Sequence, residues 1–185
     1  MKDVSDETLM ERVQRRDHAA FSHLVDRYLS RLRPFALRLM GNAEDADDVV
    51  QETFLRVWRN AHSWEPGRVQ LTTWLHRIAH NLCIDTMRRR RPTTEFNETH
   101  ADGAASLEQE AMAAELGDSV AAALTTLQER QKTALLLCHY QGLSNRQAAE
   151  ILDVSVEALE SLLARGRRRM RQLLSDDLSQ RTNEH

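Results

Sequence analysis

The chain has 185 residues, of which 41% are hydrophobic, 29% charged and 5% aromatic, and its formal net charge is −3. This length allows one domain or two small ones, and the composition is typical of a soluble, helix-rich protein. Its two cysteines, Cys83 and Cys138, exclude a disulfide framework and a CxxC zinc site. Because there is no membrane-length apolar run and no signal-peptide core near Met1, we expect the chain in the cytoplasm.

Two helices are predicted at the N-terminus. Ser5 or Asp6 can cap a short one, and Asp17 precedes a longer one whose apolar residues recur at helical spacing. Pro34 lies inside the longer helix and should bend it, and Gly41 should end it. These signals predict a helical hairpin.

A third helix should start near Asn42. Its apolar face consists of Ala46, Val49, Val50, Phe54, Val57 and Trp58. Its acids lie outside that face and comprise Glu44, Asp45, Asp47, Asp48 and Glu52. Two or three acids in a first turn suit the helix dipole, so the surplus indicates a surface that binds a partner.

Residues 61–70 contain Trp64, Pro66 and Gly67 and predict a loop. A fourth helix should follow over about 74–91, capped by Thr72 or Thr73 and ended by a proline. One side of it points inward, while a different stripe is polar apart from one isoleucine. That stripe consists of Arg77, Asn81, Ile84 and Arg88.

Residues 93–118 are small, poorly periodic and acidic, with no lysine or arginine, and predict a linker. Helices should follow at about 119–126 and 129–141, and the polar residues after Ser175 should fray. Because the linker has no apolar pattern to hold its two neighbours together, we expect the two ends of the chain to move independently.

The segment QGLSNRQAAEILDVSVEALESLLARGRRRMR predicts a helix-turn-helix. Ser144 and Gln147 form a capping box, a turn follows at Asp153, and Ser155 caps the second helix. One face of the second helix is polar and comprises Glu157, Glu160, Ser161, Ala164, Arg165, Arg168 and Arg171. Such a face suits the major groove of DNA, where a carboxylate can accept from cytosine N4 and arginines hold phosphates. The alternative is an ordinary helical hairpin with a solvated basic end.

The whole chain resembles a bacterial sigma factor. EDADDVVQETFLRVW, TTWLHRIAHNLCIDTMRRRR and LTTLQERQKTALLLCHYQGLSNRQAAEILDVSVEALESLLARGRRRMR follow in the family's order, between about Asp6 and Leu174. The acidic gap is too short for the middle domain of housekeeping sigma factors, so the resemblance is to the extracytoplasmic-function group of the sigma-70-like family. It implies an all-α fold of two small helical domains joined by a flexible acidic linker. The implied parts are sigma region 2 over 1–92, the linker over 93–118, region 4 over 119–178 and a disordered tail over 179–185.

The resemblance also implies that the chain binds core RNA polymerase and directs promoter-specific initiation by reading −10 and −35 elements. The residues implied for polymerase docking are Asp45, Asp47, Asp48, Gln51 and Glu52. Those implied for reading and opening the −10 element are Trp64, Arg77, His80, Asn81, Ile84 and Arg88. For Trp64 the alternative is a tryptophan that caps the core. Those implied for the −35 element are Ser155, Glu157, Ala158, Glu160, Ser161, Arg165 and Arg168.

Members of this family are commonly held inactive by an anti-sigma factor, so the resemblance implies such a partner here. It should cover the polymerase-binding surface, including Val50, Phe54 and the acids around them. The domain that carries Arg165–Arg171 should fold against the inhibitor or against the first domain. The chain departs from the family at Glu160 and Leu162, where many relatives carry lysine or arginine, and this puts the −35 sequence in doubt. No membrane contact by this chain is implied.

A metal site is one alternative function. One side of a predicted helix carries a row of possible ligands at spacings that a transition metal could accept, namely His76, His80, Cys83 and Met87, but such rows arise by chance. We interpret the His76/His80 pair as a pH-tunable edge of the DNA face. No nucleophile–base pair, phosphate loop or acid dyad is visible, so we expect neither catalysis nor a cofactor. A stand-alone helix-turn-helix regulator that binds DNA as a dimer is the rival function.

Overall fold

The computed structural model describes residues 4–90 and 117–183, which contain helices and turns and no strand. Four helices precede the undescribed interval and four follow it. They are α1 (Asp6–Gln14), α2 (His18–Met40), α3 (Ala43–Arg59), α4 (Leu71–Arg90), α5 (Asp118–Thr125), α6 (Glu129–Leu135), α7 (Asn145–Leu152) and α8 (Val156–Asn183). A 3₁₀ turn, Ala61–Ser63, lies between α3 and α4, and a π-helical turn, Leu136–Tyr140, extends α6. The all-α prediction is confirmed.

The N-terminal domain packs α2 against α1, α3 and α4 around side chains such as Leu24, Leu32 and Phe35, which are all fully buried. Side-chain caps are present at three helix starts, at the predicted cap Ser5 and at Asp17 and Asn42, which were predicted only to lie where their helices begin. The side chains of Ser5, Asp17 and Asn42 accept hydrogen bonds from the backbone N–H groups of Thr8, Ala20 and Asp45, respectively. Gly41 ends α2 with a left-handed φ of 72°, a conformation in which a Cβ would be strained. The helix continues through Pro34.

The fourth helix begins earlier than predicted. Leu71 is buried and already belongs to α4, so the helix starts three residues before Trp74. Thr73, the predicted cap, lies inside α4 with its side chain 1% exposed. Threonine is a frequent helix cap, but here the burial of Leu71 against the domain core favours an earlier start.

The C-terminal domain contains the predicted helix-turn-helix. The Ser144 capping box is present, Asp153 adopts a left-handed φ of 53°, and the Ser155 hydroxyl accepts from the N–H of Ala158. Gly166 lets α8 approach α6 closely, since a Cβ there would lie 3.0 Å from the Cδ1 of Leu135. The last helix reaches Asn183, although we predicted fraying from Ser175 and a disordered tail over 179–185.

The two domains pack against each other. α4 and the C-terminal end of α2 lie against α6, the π-helical turn and α7, an arrangement we call the interdomain contact. The independent movement of the domains stays a prediction, since this structure shows one arrangement in which they are in contact. The contact is made by the helices themselves, and most of the linker lies outside the described residues.

Candidate polymerase and nucleic-acid interfaces

The acidic residues of α3 differ in their availability. Asp48 and Gln51 are exposed. Asp47 is also exposed but accepts from the Nε of Arg33 at 2.7 Å, and Glu52 accepts from Arg56 one turn along the helix at 3.0 Å. The surface that these residues form is open to a partner of positive charge.

Asp45 has a different role from its neighbours. It is only 7% exposed, its backbone N–H is bound by Asn42, and its carboxylate forms an ion pair with Arg90 at the end of α4. A buried carboxylate that already holds an arginine is poorly placed to meet a second protein. The structure therefore assigns Asp45 to holding α3 and α4 together, which corrects its predicted place in the docking surface.

A polar stripe runs along the exposed side of α4. Arg77, Asn81 and Arg88 are exposed, and Ile84 between them is half-buried. At helical spacing these residues share one face, with arginines for phosphates and an amide for a base edge. The structure brings together the four residues predicted from this pattern.

Trp64 is not part of that stripe. Its side chain is 2% exposed, its indole N–H donates to the carbonyl of Val69 at 3.1 Å, and its own carbonyl accepts from Gln14. Its burial and its two hydrogen bonds favour the alternative of a tryptophan that caps the core over a stacking partner for an unpaired base. A tryptophan in a loop signals either a core or a stacking role, and the sequence alone does not distinguish them.

The polar face of α8 is exposed from Ser155 to Arg171. All the residues predicted to read the −35 element are exposed: Ser155, Glu157, Ala158, Glu160, Ser161, Arg165 and Arg168. A backbone N–H hydrogen bond and one from Ser155 lower the pKa of Glu157, which keeps this carboxylate ionised. The amide of Asn145 on α7 lies 3.4 Å from a carboxylate oxygen of Glu160 and orients it. The carboxylates of Glu157 and Glu160 are thus two hydrogen-bond acceptors near the N-terminal end of α8, and the arginines follow them along the helix.

The histidine row of α4 faces the other domain. His76 is fully buried: its Nδ1 lies 2.8 Å from the carbonyl of Thr72 and its Nε2 3.2 Å from the side-chain amide of Gln141. Burial lowers the pKa of His76 and of the half-buried His80. His76 belongs to the interdomain contact and His80 lies near Arg130 of the other domain, so neither is an exposed edge of the DNA face while the domains are in contact. The −10 role of His80 stays a prediction for the separated domains.

Two residues of the interdomain contact were not identified from the sequence. Lys132 and Gln141 are 9% and 7% exposed and lie in α6 and just after the π-helical turn. In the sequence, Lys132 is a single lysine before an apolar run, and Gln141 is a glutamine before Gly142. Such residues usually remain solvated, so their burial depended on a domain arrangement that the pattern does not reveal.

None of the helices within residues 4–90 and 117–183 is both long enough and apolar enough to cross a membrane. The same residues contain no group of three or more histidine, cysteine, aspartate or glutamate side chains positioned for a metal ion.

Two family models match the chain in sequence order. Sigma-70 region 2 matches residues 24–93 and Sigma-70 region 4 matches residues 117–170. The first match contains α3 and α4 and most of α2. The second contains the helix-turn-helix.

A curated relative and two solved structures resemble the chain along most of its length. The ECF RNA polymerase sigma-E factor of Haemophilus influenzae is 35% identical, covering 89% of this chain and 92% of the relative. The structure of CnrH in complex with the cytosolic domain of CnrY is 30% identical with a TM-score of 0.73, covering 93% of this chain and 98% of that one. The sigma factor RpoE in complex with the anti-sigma factor NepR from Bartonella quintana is 27% identical with a TM-score of 0.66, covering 84% and 96%.

Proposed function

Because the chain belongs to the extracytoplasmic-function sigma factors of the sigma-70 family, we propose that α3 docks it on core RNA polymerase while α4 and α8 read the promoter. The chain is then an initiation factor, and catalysis remains with the polymerase. The observation that carries the proposal is the presence of both sigma regions in one chain. A stand-alone dimeric regulator would need only the second, so we set that alternative aside.

The division of work follows from the exposed surfaces. The acids of α3 that remain available, Asp47, Asp48 and Glu52, meet the polymerase together with Gln51. The stripe of Arg77, Asn81 and Arg88 contacts the strand that is unpaired at the −10 element, and the polar face of α8 enters the major groove at the −35 element. Opening a duplex costs a few kcal/mol for each base that leaves the stack, which the α4 contacts offset.

Reading both elements requires the domains to separate. The −10 and −35 positions lie about 25 base pairs apart, or roughly 85 Å at 3.4 Å per pair. A compact chain of this length has a radius of gyration of about 16 Å, so α4 and α8 cannot reach both elements while the interdomain contact holds. The segment 93–118 could span about 90 Å if fully extended, which is enough. The packed arrangement therefore fits the free or inhibited chain.

Replacing Arg88 with alanine should impair promoter opening more than recruitment. The side chain is exposed at the far end of the α4 stripe, so its loss removes a contact to the opened strand without disturbing the core. We expect about a tenfold fall in the amount of open complex, roughly 1.4 kcal/mol. Permanganate reactivity of unpaired thymines checks opening, and a gel shift checks recruitment.

Arg59→Ala, at the exposed C-terminal end of α3, is the matched control and should leave opening unchanged. If Arg88→Ala weakened recruitment as much as opening, the assignment of α4 to strand opening would be wrong.

We also propose that an anti-sigma factor controls this chain. The related RpoE structure was determined with its anti-sigma factor NepR, and it shares this chain's arrangement along most of its length. A protein that engages an abundant enzyme needs an inactive state, and the described residues suggest no ligand sensor. The inhibitor should cover the exposed α3 surface around Asp48 and Gln51. Val50 and Phe54, which we expected it to cover, are 4% and 6% exposed and belong to the core beneath that surface.

Purification of the tagged chain from uninduced native cells tests this control. We expect a small third protein to accompany the chain, and Asp48→Lys should reduce its recovery if it covers α3. Recovery of only free or polymerase-bound chain would contradict anti-sigma control and favour control by expression.

A further inference from the structure

A buried ammonium group lies in the interdomain contact. The Nζ of Lys132, on α6, donates a hydrogen bond to the backbone carbonyl of Leu39 at a distance of 3.0 Å. Leu39 lies at the C-terminal end of α2, so this hydrogen bond joins the two domains. The lysine is 9% exposed. A cation at a helix C-terminus interacts favourably with the helix dipole, so the position has one favourable feature.

That feature does not compensate fully for burial. Among the described residues, no carboxylate forms an ion pair with Lys132. Desolvation is the sole cause that lowers the pKa of Lys132 from 10.5 to about 8. A buried charge without an opposite charge opposes the arrangement that buries it. When the domains separate, this ammonium regains water, so Lys132 favours separation.

The contact also contains hydrogen bonds between neutral side chains. Gln147 on α7 donates to Gln70 before α4 at 2.6 Å, and the amide of Gln141 meets His76. Other titratable or charged groups also lie near the contact. They are Arg31 and Arg38 of α2, His80 of α4, Arg130 of α6 and Tyr140 of the π-helical turn. The π-helical turn and α7, which take part in the contact, also carry the exposed side chains of His139, Arg146 and Glu150. Most of these groups are basic, which adds to the absence of a counter-charge for Lys132.

We propose that Lys132 is a built-in weakness of the interdomain contact, which keeps the closed chain separable into the open form that spans a promoter. This role of Lys132 belongs to the free chain. The hydrogen bond between Lys132 and Leu39 supports it without reference to any partner. The surrounding hydrogen bonds and apolar packing stabilise the closed form. The buried charge of Lys132 lowers that stability, so the domains can separate.

The proposal predicts a dependence on pH with a definite sign. A base whose pKa is lower in the closed form binds its proton more tightly in the open form, so closure strengthens as the proton leaves. Below about pH 8 Lys132 is charged in both forms and its effect is constant. Between pH 8 and 10.5 the closed form sheds the proton first, and the closing equilibrium should rise by about 20-fold between pH 7.5 and 9.5.

Small-angle X-ray scattering of the full free chain at pH 7.5 and 9.5 tests the proposal. The wild type should become more compact at the higher pH. Lys132→Met removes the charge while keeping the length of the side chain, and it should be compact at both pH values. Lys132→Gln, which can still donate to a carbonyl, provides a second uncharged variant, and circular dichroism checks that each one folds.

Arg130→Met is the matched control, since it removes one positive charge from an exposed position on the same helix and should keep the wild-type pH response. A wild type whose compactness does not change with pH would overturn the proposal, even if both Lys132 variants failed to fold. So would a folded Lys132 variant that retained the wild-type response or opened more. A polymerase-binding defect alone leaves these outcomes unchanged, so the proposal and the proposed function can fail separately.

Discussion

Reversing the charge of Asp47 and Asp48 together should weaken binding to core RNA polymerase by about 1–3 kcal/mol, or roughly 5- to 150-fold. Both side chains are exposed on α3, outside the apolar face. Asp47 also loses its ion pair with Arg33, but an exposed pair contributes at most about 1 kcal/mol, so the fold should persist. Titration of labelled core polymerase with Asp47→Lys/Asp48→Lys measures the loss.

The double change Glu7→Lys/Glu11→Lys is the matched control. It alters the net charge by the same amount at two exposed positions on α1 and should leave polymerase affinity near the wild-type value. Equal losses in both variants would mean that net charge alone governs binding. An unchanged affinity in the α3 variant, with a normal circular dichroism spectrum, would remove α3 from the docking surface.

Glu160→Lys should change which −35 sequences the chain accepts, by about 1–3 kcal/mol for each altered base contact. The carboxylate is exposed near the start of α8 and is oriented by Asn145, so it suits a donor such as the cytosine N4 amino group. Lysine donates instead, which favours guanine O6 or N7. Transcription from a library of promoters randomised at −35 and −10 reads out the preference.

Glu150→Lys supplies the control for that experiment. The side chain is exposed on α7, outside the reading face, and its reversal should leave the preferred bases unaltered. A change at −10 positions in the Glu160→Lys library would contradict the separation of roles between α8 and α4. The same bases preferred by wild type and variant would mean that Glu160 does not meet the DNA.

The helices themselves could be predicted because each one carries local signals. Ser5 and Ser144 cap the helices that they were expected to cap, and Asp17 and Asn42 lie at the predicted helix starts. The polar face of α8 is exposed as its spacing predicts. The start of α4 was misplaced because the burial of Leu71 outweighs the capping preference of threonine.

The roles of individual side chains near the domain boundary could not be predicted in the same way. His76, Lys132 and Gln141 acquire their burial from helices that lie far away in the sequence. Asp45 and Trp64 have the residue types of a docking acid and a stacking ring, and only their contacts with Arg90 and Val69 assign them to the core. Spacing along one helix reports the faces of that helix, and it does not report what covers them.

Run-off transcription with purified core RNA polymerase and a promoter library tests the central claim most directly. We predict that adding the chain yields transcripts of defined start from a subset of promoters that share bases near −10 and −35, and that polymerase alone yields none from that subset. The double variant Asp47→Lys/Asp48→Lys should reduce this signal at limiting concentration. No promoter-specific transcript in the presence of the folded chain, with a control sigma factor active on the same polymerase, would contradict the account.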